Sequence, residues 1–282
     1  MDSLTFLTLA SSSFVEDLIR FPWGRMAFLL FVLYLFLCLY AWLFADRILF
    51  PAPRTPSYAK DDSLLFLPLS GGGKIACRIL NPQTPKGLTL LYSHGNAEDL
   101  GRIEDMLGSW VTEGWTVVAY DYPGYGHSPG KPSEEGCYQS IDAVYTHLTG
   151  ELKIAPSTIV AWGRSLGTGP SCYLAIREKL AGLILETPFV TAFRTVTETP
   201  VLPWDRFRNL QRAPSVKCPS LVIHGHEDEI VPFRHGKRVF EALPQPKKFV
   251  QFEKSGHNDL PETGGKKYRS AIRDFLTAAL EG

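Results

Sequence analysis

The sequence lacks the features that would place it in several large functional classes. Its 29 basic and 29 acidic residues cancel, so there is no basic field for binding nucleic acid. The 7 histidines include no HExxH pattern and the 5 cysteines include no CxxC pair, so the common zinc-binding spacings are absent. We therefore expect no nucleic-acid partner, no metal and no cofactor.

The cysteines are scattered along the chain, and their odd count leaves at least one of them unpaired. Reduced thiols are typical of a domain that faces the cytosol. The 282 residues are enough for one large α/β domain, without internal repeats or low-complexity tracts. The cysteines are Cys38, Cys77, Cys137, Cys172 and Cys218.

Charged residues are missing altogether from residues 26–45, a run dominated by Leu and Phe. Its length matches a bilayer core of about 30 Å at about 1.5 Å per helical residue. Arg20 and Arg25 precede the run, and Trp23, Tyr40 and Trp42 stand where an aromatic belt would lie. The run predicts a transmembrane helix that makes the chain a single-pass membrane protein.

Two other interpretations of residues 26–45 stay open. A signal peptide would have a shorter apolar region with a small-x-small site, and a buried core helix would also be apolar. Before the run, residues 1–25 are predicted to form an interfacial segment, and after it residues 46–62 form a proline-stiffened linker. A slight excess of basic residues after the run and the free cysteines favour a cytoplasmic location for the following domain.

From residue 63 onward, strand and helix patterns alternate, so residues 63–282 form the predicted domain. Antiparallel strands followed by repeated βα units indicate the α/β class, with a mostly parallel sheet covered by helices on both faces. The predicted strands are 64–69, 75–80, 88–93, 116–120, 158–162, 183–185, 220–224 and 248–252. The predicted helices are 103–113, 138–148, 166–180, 233–243 and 266–280.

The strand at 158–162 runs into residues 163–167, Gly-Arg-Ser-Leu-Gly, which match the nucleophile-elbow pattern Gly-x-Ser-x-Gly. The pattern predicts a sharp turn that carries Ser165. Gly163 and Gly167 are required because side chains on either side of such a turn would collide with the neighbouring helix or strand. The start of the following helix would favour negative charge beside the serine, as an oxyanion requires.

Residues 126–130, Gly-His-Ser-Pro-Gly, match the same pattern. An elbow uses the backbone N–H of the residue after the serine, and Pro129 has none. We therefore interpret Ser128 as a loop serine.

A nucleophilic serine needs a base within hydrogen-bond reach and an acid that holds the base. In this kind of fold the chain order is nucleophile, acid, base. Asp228 follows the strand at 220–224 and His257 follows the strand at 248–252, at the sheet edge where Ser165 also lies. Three other carboxylates stay open as the acid: Glu227, Glu229 and Asp259.

The remaining histidines have other predicted roles. Chain order excludes the three that precede the serine as the base: His94, His127 and His147. We expect His224 and His226 to pack in the loop near Asp228 and His235 to lie on a helix surface.

An oxyanion hole needs two N–H donors. Leu166 supplies one by its place after the serine, and Asn96, in the loop after the third strand, is the predicted second donor.

Five segments together carry a resemblance to the α/β-hydrolase superfamily. They are Ser-His-Gly-Asn-Ala-Glu-Asp at 93–99, Tyr-Asp-Tyr-Pro-Gly-Tyr-Gly at 120–126, Gly-Arg-Ser-Leu-Gly-Thr-Gly-Pro at 163–170, His-Gly-His-Glu-Asp-Glu-Ile-Val-Pro at 224–232 and Ser-Gly-His-Asn-Asp at 255–259. The chain is similar to the membrane-associated branch that includes protein depalmitoylases and monoacylglycerol or lysophospholipid lipases. Those depalmitoylases resemble each other in an N-terminal cysteine cluster, to which only Cys38 corresponds here.

The resemblance implies an α/β-hydrolase fold and hydrolysis of carboxylic ester or thioester bonds in acylated lipids or proteins. It implies Ser165 as nucleophile, Asp228 as acid, His257 as base, and Asn96 with Leu166 as oxyanion donors. A serine peptidase on the same fold and an inactive membrane-tethered scaffold are the alternatives.

Residues 187–216 lie where cap insertions enter this fold. Their apolar side chains would line an acyl pocket or simply pack a short cap, and both interpretations stay open. The side chains concerned are Phe189, Phe193, Val201, Leu202, Trp204 and Phe207.

Overall fold

The computed structural model of the chain describes residues 22–53, 55–197 and 199–281. The chain divides into one unit that ends at Ile48 and a second that begins at Leu49. Most of the predicted interfacial segment, residues 1–25, lies outside the described residues.

The described part of the first unit is a single helix, α1 (Pro22–Leu49), of 28 residues. It extends beyond the uncharged run at both ends and takes in Arg25, Asp46 and Arg47. By length and composition it could cross a membrane, and only 6% of its most apolar window is buried. A signal sequence would have the same character, whereas a core helix would be mostly buried.

The second unit is built on one sheet of eight strands in the order β1-β2-β4-β3-β5-β6-β7-β8. The pairs β1–β2 and β2–β4 are antiparallel. All other neighbouring strands in this order are parallel. The strands are β1 (Leu65–Pro68), β2 (Lys74–Leu80), β3 (Thr89–Ser93), β4 (Thr116–Tyr120), β5 (Ile159–Arg164), β6 (Gly182–Glu186), β7 (Ser220–Gly225) and β8 (Lys247–Phe252).

Helices cover both faces of this sheet. Every residue of β3, β6 and β7 is buried. On β5, Val160 belongs to one core cluster and Ala161 to the other, because successive side chains point to opposite faces. The helices are α2 (Glu104–Thr112), α3 (Glu134–Thr146), α4 (Thr168–Ala175), α5 (Arg194–Thr197), α6 (Asn209–Arg212), α7 (Arg234–Ala242) and α8 (Leu260–Glu281).

The predicted α/β class and mostly parallel sheet are confirmed. The helix predicted at 166–180 ends at Ala175, and two helix starts differ from the prediction by four residues or more. The third helix begins at Glu134 rather than at 138, because the Ser133 hydroxyl accepts a hydrogen bond from the Gly136 N–H at 3.0 Å. The last helix begins at Leu260 and is interrupted at Gly265, where φ is 48°. The prediction from 266 onward covers only the part after this break.

From Leu49 onward, the stretch predicted as a linker, residues 46–62, belongs to the second unit and packs within it. Phe50 is 4% exposed and belongs to a core cluster, with its ring centroid 6.0 Å from that of Phe207. Further along, the Ser57 N–H donates to Asp99 at 2.7 Å and the Tyr58 hydroxyl donates to Asp121. Burial of an aromatic ring stabilises a fold by a few kcal/mol, so Phe50 acts as part of the domain.

Candidate active site

Ser165 directly follows β5 and begins a short 3₁₀ turn, Ser165–Gly167, that leads into α4. Its φ of 50° is a strained conformation for a residue other than glycine. A Cβ on Gly163 would lie 2.2 Å from the Gly167 carbonyl oxygen, and one on Gly167 would lie 1.9 Å from the Ser93 carbonyl oxygen. The predicted sharp turn and its need for both glycines are therefore confirmed.

The structure brings Ser165, His257 and Asp228 into one hydrogen-bonded chain. His257 Nε2 lies 2.9 Å from Ser165 Oγ, and His257 Nδ1 lies 2.8 Å from Asp228 Oδ2. The exposed fractions are 9% for Ser165, 5% for His257 and 7% for Asp228. The three residues meet because each follows the carboxyl end of a parallel strand, and those ends share one edge of the sheet.

The carboxylate that contacts His257 is Asp228. Its sequence neighbours Glu227 and Glu229 are both exposed. Asp259 accepts the Gly256 N–H at 2.7 Å and so shapes the loop that carries His257.

Asp228 is held as a carboxylate by its surroundings. Burial favours the neutral form, but hydrogen bonds from His224 and His257 and from the Val231 N–H outweigh it and hold the pKa of Asp228 well below its usual range. The Val231 and Ile230 N–H groups donate to Oδ1 at 2.7 and 3.0 Å. A fixed negative charge therefore lies behind His257 at neutral pH.

The prediction that His224 packs near Asp228 is confirmed, and its direct contact with the Asp228 carboxylate was not predicted. His224 is fully buried, with Nε2 2.8 Å from the Val231 carbonyl oxygen and 3.2 Å from Asp228 Oδ2. Since a carbonyl only accepts, Nε2 carries the proton and faces the carboxylate as well. A Cβ on Gly236 would lie 2.1 Å from the other ring nitrogen, so glycine there makes room for the ring.

The prediction that His235 lies on a helix surface is wrong. It is 3% exposed, and its Nδ1 accepts the Val190 N–H at 3.4 Å. The ring is buried because this face of α7 packs against the start of residues 187–216.

The predicted oxyanion loop follows β3. The Gly95 N–H donates to Glu98 Oε2 at 2.6 Å, and the Ala97 N–H is 3.2 Å from Asn96 Oδ1. The Asn96 side chain is itself fixed, because Nδ2 donates to the Leu49 carbonyl and Oδ1 accepts the Tyr125 hydroxyl. The backbone N–H groups of Gly95 and Ala97 already have acceptors, so the backbone N–H of Asn96 is the one in this loop that suits a ligand.

Leu166 occupies the second position of the 3₁₀ turn after β5. The first N–H groups of a helical turn have no partner within it, so the Leu166 amide suits an anion. Because β3 and β5 are adjacent and parallel, this turn and the Asn96 loop lie at the same edge of the sheet, where both strands end. Their use as oxyanion donors stays a prediction.

Ser128, the serine of the second Gly-x-Ser-x-Gly match, has a different environment. It is 4% exposed, and its hydroxyl donates to the Asp121 carbonyl and accepts the Ala76 N–H, each at 2.8 Å. It joins a loop to β2, in agreement with the prediction of a loop serine.

The apolar residues of the predicted cap, 187–216, divide into two sets. Phe189 and Phe207 are buried in the core with ring centroids 6.2 Å apart, so they pack the cap. The others are partly or fully exposed: Phe193, Val201, Leu202 and Trp204.

Within the described ranges no group of three or more His, Cys, Asp or Glu side chains is placed to hold a metal ion. Among the described residues no disulfide is formed, and all five cysteines are buried. Burial raises the pKa of Cys77, Cys172 and Cys218 to about 12, which keeps these thiols protonated.

Comparison with known proteins agrees with the fold. Residues 83–210 match the Hydrolase_4 family model, described as serine aminopeptidase, S33. The chain is 40% identical over 206 residues to the α/β-hydrolase domain-containing protein aho-3 of Caenorhabditis elegans, covering 72% of this chain and 61% of that protein. It is 35% identical over 216 residues to human α/β-hydrolase domain-containing protein 17B, covering 75% of this chain and 74% of that one.

Among solved structures, an esterase of Pyrococcus furiosus, Pf2001, superposes with a TM-score of 0.68 at 15% identity, covering 80% of this chain and 98% of the esterase. DcsB, solved with a substrate analogue, superposes with a TM-score of 0.65 at 16% identity, covering 78% of this chain and 99% of that one. At this level of identity the likeness concerns the fold.

The fold is thus that of the α/β hydrolases. With relatives of 35 to 40% identity that carry this domain, the chain belongs to the α/β-hydrolase family and is a hydrolase.

The lowered pKa of Asp228 predicts a pH-dependent stability. Because the folded carboxyl titrates well below its unfolded value of about 3.9, it stabilises the fold above about pH 4 and loses this contribution as pH falls through the folded pKa. In Asp228→Asn, the free energy of unfolding should decline less steeply between about pH 5 and pH 2 than in wild type. Urea unfolding of the detergent-solubilised chain measures this difference, with Glu227→Gln, an exposed neighbour, as control. An unchanged slope in Asp228→Asn would contradict the assignment.

Proposed function

We propose that the chain is a membrane-anchored serine hydrolase that cleaves carboxylic ester or thioester bonds of acylated lipids or acyl proteins through an acyl-enzyme on Ser165. The observation that carries the proposal is the continuous hydrogen-bond chain from Ser165 Oγ through both nitrogens of His257 to Asp228. A serine hydroxyl becomes a competent nucleophile when such a base accepts its proton.

The reaction proceeds in two halves. In the first, His257 Nε2 takes the proton as Ser165 Oγ attacks the acyl carbon, and the negative oxygen that forms accepts the N–H groups of Asn96 and Leu166. His257 then passes the proton to the leaving alkoxide or thiolate. In the second half, water attacks the acyl-enzyme, again with His257 as base. Asp228 keeps the proton on Nδ1 throughout and stabilises the imidazolium.

This arrangement of residues suits the hydrolysis of both carboxylic esters and amides. The two reactions differ in the leaving group, which is an alcohol or thiol in one and an amine in the other. The partly exposed apolar residues of the cap support an acyl substrate, because an extended acyl chain needs apolar surface to bind against. The similar fold of Pf2001, an esterase, supports the same class. The matching family model is described as a serine aminopeptidase, which makes a serine peptidase the second candidate.

An inactive scaffold is less consistent with the site. The chain holds Ser165 at a φ of 50°, which costs of order 1 to 3 kcal/mol. It also buries the Asp228 carboxylate, whose desolvation must be offset by several hydrogen bonds. Neither cost is needed for a surface that only binds a partner.

We place the transmembrane span at residues 26–45 within α1 and the cap at 187–216. Bilayer insertion is supported by the length and exposure of α1. The buried thiols, which form no disulfide in the described part of the chain, support a cytoplasmic catalytic domain.

Ser165→Ala should abolish stoichiometric labelling by a fluorophosphonate probe and lower kcat on esters by roughly six orders of magnitude, because the attacking oxygen is removed. Ser128→Ala is the matched control, since it changes a buried serine of the same sequence pattern. Its labelling per folded molecule should equal that of wild type. Labelling that survives in Ser165→Ala would refute the assignment of the nucleophile.

Medium- and long-chain p-nitrophenyl esters should have a higher kcat/KM than aminoacyl p-nitroanilides. The p-nitrophenolate of the esters leaves more readily than the p-nitroaniline of the anilides, and the apolar cap favours an acyl chain. Steady-state kinetics on both series, with Ser165→Ala as background, gives the ratio. Faster cleavage of the anilides would support the peptidase instead.

Alkaline carbonate and high salt should leave the full chain in the membrane pellet, and only detergent should release it, because burial of so much apolar helix exceeds any surface electrostatic contact. Deletion of residues 1–48, which keeps the buried Phe50, should release the chain from membranes while preserving hydrolysis of small soluble esters. Recovery of the full chain in the carbonate supernatant would contradict the anchor.

A further inference from the structure

The residue before the nucleophile is Arg164, a largely buried arginine that contacts two loops and the end of a strand. The Arg164 side chain is 14% exposed. Its Nη1 donates to Glu98, and its Nη2 donates to the His257 carbonyl oxygen at 3.2 Å and to Asn258 Oδ1 at 2.8 Å. On the third side its Nε lies 3.6 Å from Glu186 Oε1.

Glu98 connects Arg164 to the backbone of the predicted oxyanion loop. One carboxylate oxygen accepts from Arg164, and the other accepts the Gly95 N–H at 2.6 Å. Space at this point is tight, since a Cβ on Gly95 would lie 2.8 Å from Glu98 Oε2 and 3.1 Å from Arg164 Nη1. The position of the Gly95 backbone, and with it the adjacent Asn96 amide, therefore depends on the ion pair.

Glu186 holds the guanidinium from the side of the sheet. It ends β6, is 2% exposed, and accepts the Tyr268 hydroxyl at 2.8 Å. Burial lowers the pKa of Arg164, but the carboxylates of Glu98 and Glu186 and the Tyr92 hydroxyl outweigh this effect and raise it. The charge is thus permanent, and its position is fixed from several directions.

We propose that Arg164 is a positioning residue that joins the elbow to the oxyanion loop through Glu98 and to the base loop through the His257 carbonyl. This inference rests on the proposed serine-hydrolase function. Arg164 does not touch the reacting atoms. It sets where the Asn96 amide and the His257 ring stand relative to Ser165, and displacements of about 1 Å there cost about 100-fold in rate.

The geometry requires arginine in particular. The guanidinium is planar and presents donors on separate nitrogens, so it bonds Glu98 and the His257 loop at once. A lysine ammonium is a point charge and would satisfy one side only.

The test uses the full chain in detergent, with Arg164→Gln, Arg164→Lys and Glu98→Gln as variants. Arg269→Gln is the matched control, because Arg269 also forms a partly buried ion pair, with Glu113. The active sites of each preparation are counted by fluorophosphonate labelling, and kcat per labelled site is measured on a p-nitrophenyl ester.

All three variants should lose about 10- to 100-fold in kcat with little change in KM. Affinity for a boronic acid that mimics the tetrahedral intermediate should weaken by a similar factor. A purely structural ion pair would lower the melting temperature and the count of active sites without changing kcat per site. Arg269→Gln should behave in that way.

The double variant Arg164→Gln/Glu98→Gln should lose little more than either single variant, because both act through one connection. Wild-type kcat per site in Arg164→Gln and Arg164→Lys, or fully additive losses in the double variant, would overturn the inference. If Arg164→Gln fails to fold, Arg164→Lys and Glu98→Gln decide the matter. Failure of the wild type to label or hydrolyse esters would instead overturn the proposed function.

Discussion

The candidate site depends on one close approach of backbone to backbone, where Gly167 lies against the carboxyl end of β3. A side chain there would come within 1.9 Å of the Ser93 carbonyl oxygen and 2.8 Å of the His94 carbonyl oxygen, far inside ordinary van der Waals contact. Because β3 and β5 are parallel neighbours, this contact sets the separation between the serine turn and the loop of Asn96. The distance between the backbone N–H groups of Asn96 and Leu166 therefore depends on the absence of a side chain at Gly167.

The charges around the site are arranged on the same edge of the sheet. Three carboxyl side chains lie in or near the interior, and each has more than one donor group beside it. They are Asp228, Glu98 and Glu186. Removing a charge from water is costly unless its oxygens are satisfied, so each carboxylate fixes the position of the groups that satisfy it. In this way the loops after β3, β5, β7 and β8 are held by electrostatics where the sheet itself has ended.

The sequence predicted the frame of the fold and the residues that meet at its edge. The β4 prediction matches the structure at both ends, because a β-branched run between turn residues leaves little choice. Ser165, Asp228 and His257 were found because chain order and strand ends constrain them strongly.

The supporting contacts were not predicted, since nothing local encodes them. Arg164 pairs with Glu98 across 66 residues and with the His257 carbonyl across 93. His224 resembles any loop-packing histidine until its distance to Asp228 is measured. Phe50 follows two other apolar residues at the start of a proline-rich stretch, where the sequence has no periodicity to mark one ring as buried.

The buried thiols bear on how the protein would respond to oxidants. Peroxide attacks the thiolate, and Cys77, Cys172 and Cys218 stay protonated at any physiological pH while the fold is intact. None of these three would serve as a redox sensor, and maleimides or iodoacetamide would reach them only after unfolding. The rate at which these thiols are alkylated therefore reports the rate at which the core of the domain opens.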